Sequence, residues 1–303
     1  MTEAPIKDIK YFPMQWHHLK NIVSPMDETK FFIITLPGGR KIRADLAELT
    51  PPRKVENKEP TPKDELSPNF SPAVAFMPLL PRSVEYIQRL RQEGWELSWG
   101  DMAEILLQTQ AIRDVISVFH QRRVEAIAGG LAEVLGYTGE ALENVRLAGL
   151  LHDIGKDGVP EEIVKKKGKL TEEEWNVMDR HPTVSGAVLQ ALNFKRQVID
   201  AVRQHHKDCL GNGYPKTISV KEITQEGQII KMADEIDASS NNRGYPREIK
   251  TPEELWAEFI EGMKGGKKYL KRVVYAVRKA YQTKFKEWEE VQRIFQPQPE
   301  LLA

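Results

Sequence analysis

The sequence predicts a mainly helical protein in which a helical bundle follows a small β-containing N-terminal unit. Three observations support this fold class. Apolar residues recur at helical spacing from about residue 81 onwards, two capping boxes mark helix starts in that region, and strand character is confined to a short segment near residues 30–44. The composition, 40% hydrophobic and 29% charged over 303 residues, is that of a globular protein with a sizeable core.

Residues 1–50 contain the predicted N-terminal unit. Residues 30–36 are β-branched and aromatic, residues 37–40 carry a Pro-Gly-Gly turn signal, and residues 41–44 alternate apolar and polar, which favours a β-hairpin. Residues 51–80 are rich in proline and charge and predict an extended linker, because such a segment cannot bury enough apolar surface to order itself. The helical domain is then expected over residues 81–295.

The helices of this domain are predicted from their starts and their apolar stripes. A capping box at residues 98–101 opens a helical run that continues through an apolar stripe over residues 120–135. A second capping box, at residues 171–174, starts a helix that should stop at His181-Pro182. Further helices are predicted over about residues 184–192, 195–206, 226–240, 252–263 and 268–288.

Charge and cysteine content exclude several classes of protein. The 44 basic and 44 acidic residues cancel, which gives no electrostatic basis for binding DNA or a membrane surface. No apolar run approaches the ~18 residues of a membrane span, and the N-terminus lacks a signal-peptide core. The single cysteine, Cys209, excludes an internal disulfide and a multi-cysteine zinc site. We therefore expect a cytoplasmic protein with no membrane insertion and no DNA partner.

Five of the seven histidines fall in the helical domain, each at the end or on the apolar side of a predicted helix, whereas His17 and His18 are expected to be structural or surface residues. His152-Asp153 closes an apolar helical stretch at residues 147–151. A buried His-Asp pair loses hydration free energy, which only hydrogen-bonded pairing or a metal ion restores. Taken alone, the dipeptide favours neither alternative.

His205-His206 shifts this balance towards a metal. Adjacent helical residues diverge by about 100°, so the two rings can straddle one apolar face and converge. Asp234 adds a carboxylate on another helix, although a helix-surface role is its alternative. Such nitrogen and oxygen ligands suit iron, manganese or zinc, and their number exceeds what one ion with an open position needs. Two ions bridged by a carboxylate and a hydroxide are a recurring device for phosphoester hydrolysis.

The order of these motifs resembles the HD-GYP domain, a bacterial branch of the HD phosphohydrolases. The resemblance covers about residues 110–250, half of the chain. It implies an HD-type helical bundle behind a regulatory N-terminal unit, with a di- or trinuclear metal centre that hydrolyses cyclic di-GMP or a related cyclic dinucleotide. The matching motifs are His120-x-x-Arg123-Val124, Leu151-His152-Asp153-Ile154-Gly155-Lys156, Val159-Pro160, His181-Pro182, His205-His206, Gly211-Asn212-Gly213-Tyr214-Pro215, and Ala233-Asp234 through Asp237-Ala238 to Arg243.

The resemblance also implies roles for individual residues. Asp153 and Lys156 would be catalytic, Asp153 as the bridging ligand and Lys156 as the contact to the scissile phosphate. Lys156, Tyr214 and Arg243 would bind substrate, the last through its planar guanidinium. The implied metal ligands are His120, His152, Asp153, His181, His205, His206 and Asp234.

The chain also departs from the family pattern. Lys207 stands where the family reads glutamate, Cys209 where it reads tryptophan, and Pro246 where it has a basic residue. Ile116, four residues before His120, occupies the position at which members with a third metal carry a glutamate. An isoleucine cannot bind a metal ion, so we expect a binuclear centre.

The leading hypothesis is therefore a phosphodiesterase that converts a cyclic dinucleotide, cyclic di-GMP first among them, to linear pGpG. Two divalent ions are expected, iron or manganese before zinc, nickel or cobalt. The alternatives are a nucleotide-sensing or protein-docking module with little turnover, acting with protein partners or as a homodimer, and a hydrolase of another phosphoester.

Overall fold

A computed structural model describes residues 31–45, 80–240, 250–264 and 268–294, and it confirms the helical bundle with its two-stranded sheet. The linker at residues 51–79 and the histidines His17 and His18 lie outside the described residues. The elements are β1 (Phe31–Thr35), β2 (Lys41–Asp45), α1 (Leu80–Gln92), α2 (Trp99–Ala111), α3 (Val115–Val134), α4 (Gly139–Leu151), a 3-10 turn (Ile154–Gly158), α5 (Glu161–Val164), α6 (Glu172–Met178), α7 (His181–Ala191), α8 (Arg196–Gln204), a 3-10 turn (Val220–Glu222), α9 (Gln225–Ser240), α10 (Pro252–Met263) and α11 (Lys271–Ile294).

The predicted hairpin is confirmed. Strands β1 and β2 are antiparallel, and Ile34 pairs with Ile42 in their register. Both of these side chains are buried, whereas Ile33 on the other face is exposed. Alternation of one buried and one exposed face is the pattern of a half-buried strand.

The hairpin packs directly on the helical region, chiefly through Gln108 of α2. The Gln108 side chain accepts a hydrogen bond from the Thr35 backbone N–H at 3.2 Å and donates to the Thr35 carbonyl at 2.9 Å. Arg40 from the turn pairs with Asp101 in the capping box that starts α2. Ile34 and Ile42 therefore belong to the same apolar core as the helices, while the division of the chain at residues 50 and 80 stays a prediction.

Helix α3 is the centre of the bundle. It packs against α4, α9 and α11, and it is buried on most of its circumference, as a central helix must be. Helix α8 packs in turn against α4, α7 and α9. The ends of α4, α7 and α8 are thereby brought close to the middle of α3. None of the described helices combines the length and the apolar character that a membrane span requires.

The helical run predicted across residues 98–135 is wrong in one respect, because it breaks between α2 and α3. Asp114 is the N-cap of α3 and accepts hydrogen bonds from the backbone N–H and the hydroxyl of Ser117. A side chain that bonds the backbone locally competes with helix continuation. Arg113 leaves the helical path to donate to the carbonyls of Asp157 and Val159.

Two predicted helix ends also differ from the structure. Both capping boxes are present, at Ser98 and at Thr171, but the helix after Thr171 ends at Met178, and His181-Pro182 starts the next helix instead of ending this one. Proline is well tolerated in a first turn, where its missing N–H has no intrahelical partner. Helix α8 ends at Gln204, so His205 and His206 lie just beyond the helix that was expected to carry them.

We predict that Gln108→Ala lowers the free energy of unfolding by about 1–3 kcal/mol, since it removes two hydrogen bonds to partly buried backbone groups of Thr35. Chemical denaturation followed by circular dichroism measures this loss. Gln92→Ala, at an exposed position of α1, is the control and should change the stability little. Equal stability of the two variants would show that the hairpin does not depend on α2.

Candidate metal centre

The seven implied ligands come from five separate segments and meet at one place. His120 lies within α3 and Asp234 within α9, whereas His181 is the first residue of α7. His152 and His205 are the C-caps of α4 and α8, and each is followed directly by a further ligand in sequence. All of them are buried except His206 and Asp234, which are partly exposed. The structure therefore brings together every predicted metal ligand.

Three of the histidines are held in one orientation by the end of a helix. Each ring places Nδ1 against the backbone carbonyl three residues earlier: His152 against Gly149 at 2.8 Å, His181 against Met178 at 2.7 Å and His205 against Val202 at 2.6 Å. A carbonyl can only accept a hydrogen bond, so Nδ1 carries the proton. The Nε2 atom of each neutral ring then presents a lone pair, which is the state that binds a metal.

These Nε2 atoms face each other at distances that a metal ion would explain. Nε2 of His120 lies 3.2 Å from Nε2 of His152, and Nε2 of His181 lies 3.3 Å from Nε2 of His205. Two bare lone pairs cannot form a hydrogen bond with each other. Protonation does not resolve the conflict between His181 and His205, because burial lowers the pKa of both rings, and the neighbouring imidazoles lower that of His205 further. A cation between the rings would satisfy these lone pairs.

Asp153 lies between the two pairs of histidines. Its Oδ2 atom is 3.5 Å from Nε2 of His120 and 3.3 Å from Nε2 of His152, and its Oδ1 atom is 3.2 Å from Nε2 of His181. Oδ1 is buried and accepts no well-aligned hydrogen bond from the described residues. A carboxylate with one oxygen towards each half of the site has the placement of a bridging ligand.

The potential ligand atoms form two groups that share Asp153. One contains His120 and His152, and the other contains His181, His205 and His206, with the ligand atoms of each group within 4.8 Å of one another. Oδ1 of Asp234 extends the first group, since it lies 3.2 Å from Nε2 of His120. This donor set of imidazoles and carboxylates without cysteine fits a divalent transition-metal ion.

Lys156 is the cation nearest to the shared carboxylate. Its Nζ atom lies 2.5 Å from Oδ2 of Asp153, and its side chain is partly exposed. Burial alone would raise the pKa of Asp153, but its neighbours, the Lys156 ammonium among them, outweigh burial and hold that pKa well below its usual range. Asp153 is therefore ionised at neutral pH, and Lys156 lies where it can also reach an anionic ligand.

Asp237 and Arg123 support His120 from behind, and the sequence alone assigned them no role. Oδ2 of Asp237 accepts a hydrogen bond from Nδ1 of His120 at 2.7 Å, and its Oδ1 accepts from Nε of Arg123 at 2.6 Å. Both residues are buried, at 0% and 1% exposure. Burial would raise the pKa of Asp237, but His120 and Arg123 outweigh it and lower it. The signal for this pair was present: each residue follows a ligand, Asp234 or His120, by one helical turn.

The turn after Asp153 requires a glycine and a serine. A Cβ atom at Gly155 would collide with the carbonyl oxygen of His181. The Gly155 N–H donates to Oγ of Ser185 at 2.9 Å, and that hydroxyl donates to the carbonyl of His152 at 2.9 Å. Close approach of backbone at this glycine thus holds the segment of Asp153 against the start of α7.

Tyr214 lies over one edge of the cluster, with its ring centroid 4.4 Å from that of His206. Gly213 before it has φ +88°, and a Cβ there would collide with the carbonyl of His206. Burial, followed by the charges of Asp153 and Asp234, raises the pKa of Tyr214, so its phenol stays protonated. Lys207 stabilises this loop through a hydrogen bond from Nζ to the Gly211 carbonyl at 2.5 Å. Arg243, the remaining predicted substrate contact, lies outside the described residues.

Ile116 offers the centre no ligand. It packs against the apolar core one turn before His120. The carboxylate of Asp114 is engaged by Ser117 at the helix start. No third group of possible ligands that includes His120 is found within the described ranges.

The sequence matches the family described as HD domain over residues 106–265, more than half of the chain. A cyclic di-GMP phosphodiesterase of Thermotoga maritima is 35% identical over 178 residues, which are 58% of this chain and 48% of the relative. A cyclic di-GMP phosphodiesterase response regulator of Xanthomonas campestris is 36% identical over 125 residues, 41% of this chain and 33% of the relative.

A third relative differs in the nucleotide that its name gives. This protein, a 3'3'-cGAMP-specific phosphodiesterase of Vibrio cholerae, is 36% identical over 126 residues, 42% of this chain and 29% of its own length. The chain thus spans about half the length, or less, of these curated relatives.

We predict that Asp237→Asn weakens the binding of a divalent metal about 10- to 100-fold, because the amide orients His120 but no longer raises the basicity of its ring. Loss of the charge that Asp237 presents to the buried Arg123 should also lower the melting temperature. Metal retained against a chelator series measures the first effect and calorimetry the second. Asp200→Asn, which breaks a surface pair with Arg196, is the control. Unchanged metal retention in Asp237→Asn would contradict the assigned support of His120.

Proposed function

The chain belongs to the HD domain family, and on this premise we propose that it is a metal-dependent phosphodiesterase of the HD-GYP kind that hydrolyses a cyclic dinucleotide. The observation that carries the proposal is the pair of ligand groups joined at Asp153. Two ions that share a carboxylate are suited to hydrolysis of a phosphodiester, and each half of the cluster offers Nε2 lone pairs to one ion.

We propose two divalent ions for each chain, iron or manganese in preference to zinc, nickel or cobalt. His120, His152 and Asp234 would hold one ion, and His181, His205 and His206 the other, with Asp153 shared. When bound, the two ions would lower the pKa of a water molecule and offset the negative charge of the phosphoryl group.

The chain's own residues would bind and orient the phosphodiester. Lys156 supplies a cation beside Asp153, and its partial exposure leaves it able to contact a phosphate oxygen. The protonated phenol of Tyr214 can donate a hydrogen bond to the substrate, since the pKa of that group is raised by burial. Arg243 is proposed as a further contact to a phosphate or a guanine edge.

Cyclic di-GMP is the first substrate to test, because two of the relatives described above are named for it, and 3'3'-cGAMP is the second. We also propose that the protein acts in the cytoplasm, as its sequence predicts. Action with a protein partner or as a homodimer stays a prediction.

We predict that the purified full chain holds about two metal ions, that it hydrolyses cyclic di-GMP, and that Asp153→Ala abolishes turnover and reduces the metal content. The reason is the position of Asp153 between both ligand groups. Elemental analysis and chromatography of the nucleotide products measure the two effects on the same sample.

Tyr214→Ala is the matched variant, because Tyr214 lies against the cluster without belonging to either ligand group. This substitution should weaken substrate binding and turnover and leave the metal content unchanged. Metal-loaded wild-type protein that binds the nucleotide but does not cleave it would support a sensing module instead. Full turnover by Asp153→Ala would contradict the proposed metal centre.

We further predict that linear pGpG is the main product, with GMP appearing slowly or not at all. Ile116 provides no ligand for a third ion that would favour rebinding and cleavage of the linear product. Time-resolved chromatography distinguishes the two products. Ile116→Glu would place a carboxylate one turn from His120 and should raise the GMP fraction, with Ile116→Gln as control. GMP formed by the wild type from the start, or three ions for each chain, would overturn this inference.

A further inference from the structure

An exposed tryptophan stands beside the predicted substrate contact of the metal centre. Trp175 of α6 is 48% exposed, which is unusual for so large an aromatic side chain. Its ring centroid lies 6.4 Å from that of Tyr214, with an angle of 62° between the planes. No role follows for Trp175 from the metal ligands or from the phosphate contacts.

Three rings lead outwards from the cluster in order. The ring of His206 lies 4.4 Å from that of Tyr214, and the ring of Tyr214 in turn lies 6.4 Å from that of Trp175. A phosphodiester held at the cluster therefore has aromatic surface next to it in one direction. A nucleoside attached to that phosphate could extend along this surface, since its sugar separates the base from the phosphate.

Helix α6 is short, but both of its ends are fixed. Thr171 and Glu174 form a complete capping box at its start, and Lys166 from the preceding segment pairs with Glu174. At the other end, the carbonyl of Met178 accepts the hydrogen bond from Nδ1 of His181. The helix that carries Trp175 is thus bonded directly to a predicted metal ligand, which fixes its backbone relative to the centre.

We propose that Trp175 stacks against a nucleobase of the substrate whose phosphodiester lies at the histidine and aspartate cluster. This inference rests on the proposed function and deepens it. A nucleobase and an indole both present flat π-faces, and such stacking contributes to binding whatever the base, because every base has such a face. Trp175 therefore adds affinity for cyclic dinucleotides as a class and does not select guanine over adenine.

The test uses the Mn²⁺-loaded full chain and three variants: Trp175→Ala, Trp175→Phe and Trp95→Ala. Trp95 is also exposed, at 36%, but makes no described ring contact with the cluster. The probes are uncleavable phosphorothioate analogues of cyclic di-GMP and 3'3'-cGAMP, and inorganic phosphate, whose binding is measured by calorimetry.

Trp175→Ala should bind both dinucleotide analogues about five- to tenfold more weakly than the wild type. It should bind phosphate equally well and keep its metal content. Trp175→Phe retains an aromatic face and should stay within about twofold of the wild type, as should Trp95→Ala. In the wild type, the dinucleotide should quench tryptophan fluorescence, and Trp175→Phe should lose most of that quenching.

Wild-type affinity of Trp175→Ala for both analogues would overturn the inference and leave the proposed function intact. Equal weakening for phosphate and dinucleotides would also overturn it, since Trp175 would then support the centre and not the base. Altered self-association with unchanged nucleotide binding would assign the exposed ring to a contact between copies. Failure of the metal-loaded wild type to bind either analogue would overturn the proposed function, and this inference with it.

Discussion

The carbonyl groups at the ends of three helices determine the chemistry of the whole centre. The last turns of α4, α6 and α8 each leave carbonyls without an intrahelical partner, and in each case a histidine ring satisfies one of them through Nδ1. One interaction thereby caps a helix, fixes a tautomer and aims a lone pair inwards. The lone pairs converge only if the ends of these helices meet at one place. The packing of the bundle therefore determines the geometry of the site.

Without a cation, this arrangement of buried ligands would destabilise the folded chain. His120 and His152 direct lone pairs at each other, and Asp153 is a buried carboxylate with one oxygen that accepts no aligned hydrogen bond from the described residues. Buried polar groups in this state lose hydration without compensation. Metal binding would convert these unfavourable contacts into ligand bonds, so we expect metal affinity and folding stability to be coupled. The charged pair of Asp237 and Arg123 behind His120 is already complete within the protein and orients its side of the site beforehand.

Helix starts and the hairpin depend on neighbouring residues and could be predicted from the sequence. Contacts between segments that are distant in the chain could not be predicted in this way. The capping boxes at Ser98 and Thr171 are encoded within four residues each, and both starts were predicted correctly. The break at Asp114 was missed because the apolar stripe continues through it, and only the competing hydrogen bonds to Ser117 interrupt the helix.

The ligand set was predicted from the order of motifs, and the structure brings its members together. Motif order does not say which nitrogen of a ring faces inwards. The carbonyl partners of the three histidines settle that point. A contact of the same kind, from Nδ1 of His120, gives Asp237 a role that was not assigned from the sequence, although Asp237 lies one helical turn after Asp234. The exposed Trp175 is a similar case, because its neighbour Tyr214 is 39 positions away in the chain.

In the proposed function, the described part of the site would recognise features that all cyclic dinucleotides share. The ligand cluster and Lys156 would act on a phosphodiester, and the aromatic faces of Tyr214 and Trp175 would offer stacking, which accepts any base. Discrimination between guanine and adenine requires hydrogen bonds to the edge of the base, where donors and acceptors differ. A guanidinium can supply such a contact to guanine in a fixed planar geometry. We therefore infer that different residues carry out catalysis and base selection. Catalysis would depend on the ligands at the ends of α4, α7 and α8. Base selection would depend on residues other than the ligands, Lys156, Tyr214 and Trp175, and Arg243 is the first candidate.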